Sequence, residues 1–325
     1  MEYVKMGKTG LDVSRICLGC MSFGDSSRWI HSWTLGEEES RKIIKKALDL
    51  GINFFDTANV YGMGTSEEYL GRALKDYARR EDVVIATKVS EPMRPGPNGR
   101  GLSRKAVLAE TDSCLKRLST DYIDLLYIHR WDYQTPVEET MEALNDLVRA
   151  GKVHYLGASS MYAWQFQKAN YTAQSHGWSG FSAMQGHYNL LYREEEREMN
   201  PLCADMGAAL IPYSPLAAGR LTRDWESGSR RFQEDQVARR KYDGTESTDR
   251  TIVERVAETA GKYGVTRSQI AVAWLWEKGV CAPVVGVTKE RYLDDFAGAL
   301  KVRLERADMQ YLEEAYVPHR IVGHE

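Results

Sequence analysis

What this chain of 325 residues lacks narrows its class before any motif is read. No stretch approaches the roughly 18 consecutive apolar residues of a membrane-spanning helix. The N-terminus, MEYVKMGKTGLDVSRICLG, carries charge where a secretory signal needs an apolar run. Neither charge is in surplus: 43 Lys and Arg face 46 Asp and Glu, a net charge of −3 that gives no field to draw nucleic acid or an anionic membrane. Cysteine is scarce. The five are scattered and odd in number, which suits reduced thiols rather than a disulfide framework. The expectation is a cytoplasmic protein with no nucleic-acid or membrane partner. Cys17 and Cys20 form a CxxC inside an apolar run with no second pair and no His cluster, so core packing is expected there and no metal site.

A linker or shift in composition is also missing, so the chain is read as one domain, residues 1–325. It starts with a short hairpin: EYVKMG, a turn at Lys8-Thr9-Gly10, then LDVSRI. Eight apolar strand candidates follow: ICLGC (16–20), INFFDT (52–57), DVVIATKV (82–89), YIDLLYIH (122–129), VHYLGASS (153–160), FSAMQGHYN (181–189), AALIPYSP (208–215) and APVVGV (282–287). Each is followed by a helical pattern, among them 36–51, 66–80 with Ser66 as N-cap, 103–118 and 137–150. Strands that are apolar throughout rather than alternating are those of a parallel sheet covered by helices. The fold class expected is α/β, a (β/α)8 TIM barrel with an N-terminal β-hairpin and a long loop after strand 7. That loop is the polar segment 217–248, read as a lid, with helices at 249–263 and 267–278 before the last strand.

Barrels of this kind place their chemistry at the C-terminal ends of the strands. Strand 2 ends in Asp56 with Tyr61 in the loop beyond it, strand 3 in Lys88 and strand 4 in His129. Each alone has a plain structural use as a cap, a solvated charge or a packing ring; together they make a chemical set. Carbonyl reduction needs a proton at oxygen as hydride reaches carbon, and a tyrosine with a pKa near 10 is a poor acid at neutral pH. A Lys⁺ beside Tyr61 favours its phenolate and lowers that pKa. Asp56 would keep Lys88 charged and oriented, and His129 can donate a hydrogen bond to the carbonyl oxygen.

The runs GINFFDTANVYGMGTSEEYLGRAL, IATKV, YIDLLYIHRWD, GKVHYLGASS, MQGHYNL and IPYSPLAAGRLT resemble, in order and along nearly the whole chain, the signatures of the aldo-keto reductases. The resemblance is to the bacterial and fungal subgroup related to the potassium-channel β subunit. It implies the tetrad Asp56, Tyr61, Lys88 and His129, and NADP(H) lying across the barrel mouth. Ser159 and Gln185 match residues that bond the nicotinamide carboxamide, and Tyr213 matches the ring stacked on the nicotinamide. Ser214, Pro215, Leu216, Ala217, Gly219 and Arg220 match the loop around the pyrophosphate. Gly286, Thr288 and Arg291 match the adenosine end, with Arg291 facing the 2′-phosphate, as a guanidinium suits a dianion. The chain departs from the pattern at Ser160, where the family usually has Asn, and at Asp295, where Asn often touches adenine; Asp294 and Asp295 would oppose Arg291. The run GMGTSE (62–67) nearly spells a Rossmann fingerprint, but Glu67 stands in place of the third glycine. Its glycines instead free the loop to present Tyr61.

Phe23, Trp29, Trp33 and Trp131 fall in loops or strand ends on the expected active face, as lining of an apolar substrate pocket or, for Trp29 and Trp33, as cover for the barrel edge. Arg130, beside His129, is a cation for an acidic substrate or a partner for Asp132 or another structural carboxylate. The expected activity is an NADP-dependent aldehyde reductase or alcohol dehydrogenase acting on a small carbonyl or alcohol. One rival is a Schiff-base aldolase with Lys88 as nucleophile, which Asp56 would oppose by keeping the amine protonated. Another is a redox-sensing, nicotinamide-binding regulatory subunit with slow incidental turnover. Monomer and homo-oligomer are equally open.

Overall fold

A computed structural model describes residues 1–225, 235–242 and 244–324. Strands β1 (Tyr3–Lys5) and β2 (Asp12–Ser14) pair antiparallel, and the Met6 N–H donates to the Leu11 carbonyl at 2.9 Å across the turn. Eight parallel strands follow: β3 (Cys17–Gly19), β4 (Phe54–Asp56), β5 (Val84–Val89), β6 (Ile123–Ile128), β7 (Val153–Ser159), β8 (Phe181–Gln185), β9 (Ala209–Leu210) and β10 (Val284–Gly286). Their order is β10-β3-β4-β5-β6-β7-β8-β9. Around the remaining gap a Tyr213–Val284 bridge and the bonds Val284 N–H to Pro212 O and Cys281 N–H to Leu210 O, both 2.9 Å, bring β10 beside β9. The expected (β/α)8 barrel with its N-terminal hairpin is what the chain forms.

Helices α1 (Glu37–Asp49), α2 (Thr65–Tyr77), α3 (Arg104–Leu118), α4 (Val137–Arg149), α5 (Ala163–Ser175) and α6 (Met199–Met206) follow β3 to β8 in turn. Between β9 and β10 lie α7 (Gln236–Tyr242), α8 (Glu246–Tyr263) and α9 (Arg267–Glu277); α10 (Arg291–Ala299) and α11 (Arg306–Glu313) complete the described helices.

Three apolar groups organise the interior. Cys17, Phe54, Val84, Ala86, Leu125, Tyr127, Ala183 and Val284 fill the barrel, with Met6 and Val13 of the hairpin closing its lower end. Leu18, Phe55, Ile85, Leu126 and Ile128 point the other way and pack beneath the surrounding helices. Tyr188, Ile252, Ile270, Trp274 and Leu312 join the C-terminal helices into a third group. At about 1.5–3 kcal/mol per large apolar side chain removed from water, these layers dominate the stabilisation.

Three sequence expectations are corrected. Ser66 does not cap α2: Gly64 holds that position with φ 93°, and Ser66 instead donates its hydroxyl to the Cys20 carbonyl at 2.8 Å and meets the Thr57 hydroxyl at 2.9 Å. The seventh strand is shorter than 208–215: its ladder covers Ala209–Leu210, and beyond Pro212 the pairing continues as isolated bridges of Tyr213 with His187 and Val284. The segment 217–248 is not loop throughout. Ala217–Thr222 makes a 3-10 turn, α7 folds at 236–242, and α8 starts at Glu246. Residues 226–234 and 243, part of the expected lid, lie outside the described residues. Tyr242 anchors α7 to the barrel: it is buried, and its hydroxyl lies 2.6 Å from His187 Nε2.

Candidate active site

Strand periodicity gathers the polar residues. Because alternate side chains of a strand face the same way, the inward set that begins with Phe54, Val84, Ala86, Leu125, Tyr127 and Ala183 continues at the strand tops into Asp56, Lys88, His129, Ser159 and Gln185. The apolar lower barrel thus ends in a polar layer at its C-terminal mouth.

Lys88 is fully buried at the centre of that layer. Its ammonium donates to Asp56 Oδ1 at 2.5 Å and to the Thr57 carbonyl at 2.8 Å, and its third neighbour is the Tyr61 hydroxyl at 3.4 Å. Gln185 Nε2 donates to the other Asp56 oxygen at 2.8 Å. A buried charge of this kind stays ionised only when its partners outweigh the desolvation. For Lys88 they do: burial draws its pKa down, but Asp56 and Tyr61 bring it above the ordinary lysine value. An ammonium so held is no Schiff-base nucleophile, which removes the aldolase rival.

Tyr61 is delivered by the turn after β4. Gly62 (φ 56°), Met63 (φ 52°) and Gly64 (φ 93°) are left-handed. A Cβ at Gly62 would stand 2.3 Å from the Thr65 hydroxyl and one at Gly64 2.6 Å from Arg117 Cδ, so both positions need glycine. The Tyr61 pKa departs from expectation. Loss of hydration raises it above the ordinary tyrosine value; the Lys88 charge and hydrogen bond act downward, as foreseen, without reversing the sign. The His129 ring stands edge-on to Tyr61 at 5.9 Å. Burial, Arg130 and Lys88 hold its pKa well below the usual histidine range, so it is neutral, with one N–H to give, and its Nδ1 is buried without a partner.

The other residues singled out in the sequence divide. Ser159 is buried and donates to the Gln185 carbonyl at 3.0 Å. Tyr213 closes the layer on the far side, where Lys241 Nζ donates to its hydroxyl at 3.1 Å and Ser160 Oγ lies 3.4 Å away. Its pKa falls: burial pushes it up, and Lys241, Arg130 and the Ser160 bond outweigh that. Beyond it Pro215 and Leu216 lie in a run where Ser214 (φ 56°), Ala217 (φ 49°), Ala218 (φ 55°) and Gly219 (φ 94°) are left-handed, leading to buried Arg220, whose guanidinium lies 4.8 Å from the Tyr242 ring. Gly286 is exposed at the top of β10, Thr288 is partly exposed, and Arg291 is exposed at the start of α10. Asp294 pairs with Lys46 at 2.8 Å, which offsets its opposition to Arg291, while burial raises the pKa of Asp295, with Asp294 adding to the effect.

Two of the four pocket aromatics sit elsewhere. Phe23 is fully buried in the layer between sheet and helices, fixed by its bridge to Leu35, and lines no surface. Trp131 packs against that layer and meets Trp164 edge-on at 6.1 Å. Trp29 does lie at the mouth, its ring 5.6 Å from that of Tyr61, and His31 links it to Trp33 at 4.5 and 5.0 Å. His31 was missed because a histidine in an irregular loop carries no periodic signal, and so was His187, which stacks on Tyr213 at 5.4 Å. Cys17 faces the barrel interior and Cys20 the helix layer, both protonated by burial, so the CxxC is core. No helix among the described residues is long and apolar enough to cross a membrane.

A parallel eight-stranded barrel with Asp, Tyr, Lys and His gathered at its C-terminal mouth defines a barrel of the enzyme class. Comparison with known proteins makes this specific. Residues 15–317 match the Aldo/keto reductase family. The chain is 43% identical over 341 residues to a versiconal hemiacetal acetate reductase of Aspergillus parasiticus, covering 99% of this chain and 98% of that one. It is 43% identical over 349 residues to the aldo-keto reductase dtxS3 of Metarhizium robertsii, with 100% and 93% covered. It is 39% identical over 340 residues to a putative aryl-alcohol dehydrogenase of Saccharomyces cerevisiae, with 98% of each covered. The chain belongs to the aldo-keto reductase family, whose activity is carbonyl reduction with a nicotinamide cofactor.

Proposed function

We propose that the chain, acting as one barrel domain, is an NADP(H)-dependent reductase of aldehydes or ketones, with Tyr61 as proton donor. The observation that carries this reading is the Tyr61 hydroxyl 3.4 Å from a Lys88 ammonium that Asp56 holds at 2.5 Å, beside a neutral His129. A nicotinamide cofactor held at the mouth would supply the hydride that the carbonyl carbon receives. Tyr61 gives its proton to the carbonyl oxygen, and the phenolate left behind is stabilised by the adjacent ammonium until solvent returns the proton. Asp56, fixed by Gln185, keeps that ammonium in place. The neutral His129 donates a hydrogen bond that holds the carbonyl oxygen toward Tyr61.

The residues present fit such a cofactor. Tyr213 offers a ring at the mouth, with Ser159 and Gln185 for the carboxamide. The run from Ser214 to Gly219, left-handed at Ser214, Ala217, Ala218 and Gly219, is strained backbone of the kind kept at ligand clamps and anion nests. Arg220 is a further cation for the pyrophosphate. Gly286, Thr288 and Arg291 lie together at the top of β10 and the start of α10, where a helix N-terminus and a guanidinium favour a phosphate. Asp294 and Asp295 border that position. On this basis NADP(H) is preferred to NAD(H).

The test is single-turnover oxidation of bound NADPH by a panel of aldehydes, followed by loss of nicotinamide absorbance. The expected result is stoichiometric oxidation within about a second for the better substrates, within the range of ordinary turnover numbers. Oxidation far slower than this for every aldehyde would favour the redox-sensing regulatory reading.

A further inference from the structure

Arg130 follows His129 at the top of β6, and the sequence leaves it two kinds of partner, an acidic substrate or a structural carboxylate. The structure takes the second away. Asp132 is spent on the chain around it, accepting from the Leu102 and Gln134 N–H groups at 2.9 Å each and from the Thr135 hydroxyl at 2.7 Å. Among the described residues Arg130 makes no ion pair, and its one side-chain hydrogen bond is from Nη1 to the His129 carbonyl at 2.7 Å. Three other partly buried arginines hold a carboxylate, Arg80 with Asp124, Arg117 with Glu67 and Arg193 with Glu196, whereas Arg15 on the far side of the barrel lies over the Trp276 ring instead. A guanidinium withdrawn from water without an anion is unusual, since its hydrogen-bonding fork matches a carboxylate so well.

Its surroundings indicate what the anion belongs to. Arg130 stands next to His129 in the chain, and its charge acts downward on the pKa values of both Tyr61 and Tyr213, which places it within electrostatic reach of the mouth. Tyr61 also has apolar company: Trp29 stands 5.6 Å away, ring to ring, and its chain neighbour Ile30 is 74% exposed. An unpaired cation and apolar side chains thus share the neighbourhood of the proton donor.

We propose that Arg130 gives the site an anion-binding position, and that the carbonyl substrates this reductase favours carry a carboxylate on an apolar, ring-bearing body. The inference rests on the carbonyl-reductase reading and adds a substrate class to it. Arg130 takes no part in the bond changes: hydride goes to carbon and the Tyr61 proton to oxygen, while the guanidinium holds the substrate's carboxylate away from the apolar side chains.

The test compares benzaldehyde with 3- and 4-carboxybenzaldehyde in the wild-type protein and in Arg130→Gln and Arg130→Lys. A charge-assisted bidentate contact is worth about tenfold or more in kcat/KM. The wild type should prefer a carboxylated aldehyde by that factor, Arg130→Gln should lose the preference, and Arg130→Lys should restore part of it. Removing the Arg130 charge also alters Tyr61, but that change affects every aldehyde alike and cancels in the ratio. A ratio unchanged in Arg130→Gln overturns the proposal. So does a fall in NADPH affinity with the ratio unchanged, because the anion would then be a cofactor phosphate. Binding of 4-(hydroxymethyl)benzoate, read by tryptophan fluorescence in the presence of cofactor, tests Arg130 without turnover. Affinity reduced tenfold in Arg130→Gln supports the anion position even if no aldehyde is reduced, and equal affinity in both proteins removes it.

Discussion

On the β4–β6 side of the mouth the proposed chemistry stands on strands: Asp56, Lys88 and His129 continue the inward face of the barrel, and Tyr61 is held by one short glycine turn. On the β9–β10 side the exposed and strained residues stand on loops and helix ends, from Ser214 through Gly219 to Arg291. The first side is specified by alternation and by buried hydrogen bonds that cannot move without leaving a charge unpaired. The second holds three non-glycine residues in left-handed backbone, against Met63 in the Tyr61 turn of the first, at roughly 1–2 kcal/mol each. The contrast fits the division of labour proposed above, with proton transfer assigned to the strand side and cofactor binding to the loop side.

The sharpest break between the two sides is Tyr61→Phe. It removes the proton donor and touches no loop residue, so reduction should fall by about 10²- to 10⁴-fold while NADPH affinity changes little; stopped-flow kinetics and a fluorescence titration read the two separately. Next in size is Lys88→Met, which leaves Asp56 buried without its cation. The expected loss of stability is about 3–5 kcal/mol by urea unfolding, and a loss under about 1 kcal/mol would show that Gln185 and water suffice for Asp56.

Gly157→Ala strikes the same side without touching a charge. An added Cβ would meet the Tyr127 ring at 2.5 Å inside the barrel, and overpacking of this kind costs about 1–3 kcal/mol. An unchanged unfolding midpoint would mean that the interior is looser than its packing implies. The smallest effect is in the pH profile. With the Tyr61 pKa above the ordinary tyrosine value, the protonated donor persists through neutral and mildly alkaline pH. The rate of carbonyl reduction should therefore be flat from about pH 7 to 9, while the reverse oxidation, which needs the phenolate, should rise across the same window. A reduction rate that falls from pH 7 upward would place the Tyr61 pKa below its ordinary value.

The two sides also differ in what could be read from the sequence. Short apolar runs ending in Asp56, Lys88 and His129 are strands whose last side chain has a direction fixed by period two, so the barrel itself and the meeting of these three side chains at its mouth were legible. Tyr61 was legible by its distance from Asp56 and by the glycines beside it. The Gln185–Asp56 bond was not, because it joins residues 129 apart and only barrel closure brings them together. Loop aromatics have no period to set their direction. Phe23 turned inward to the core and Trp131 outward to the helices, while Trp29 alone of that group met Tyr61. The docking of α7 through Tyr242 and His187 depends on a polar segment whose composition reads as loop, and nothing local marks it as a helix held against Tyr213.

The division of labour is tested most directly by measuring two quantities on two variants: the single-turnover rate of hydride transfer and the cofactor dissociation constant, in Tyr61→Phe and Arg291→Ala. The account predicts a double dissociation. Tyr61→Phe should lose transfer and keep its affinity for NADPH, whereas Arg291→Ala should lose affinity for NADPH, much less for NADH, and keep the transfer rate at saturating cofactor. If Tyr61→Phe loses affinity, or Arg291→Ala weakens NADPH and NADH equally, the assignment of the two sides is contradicted.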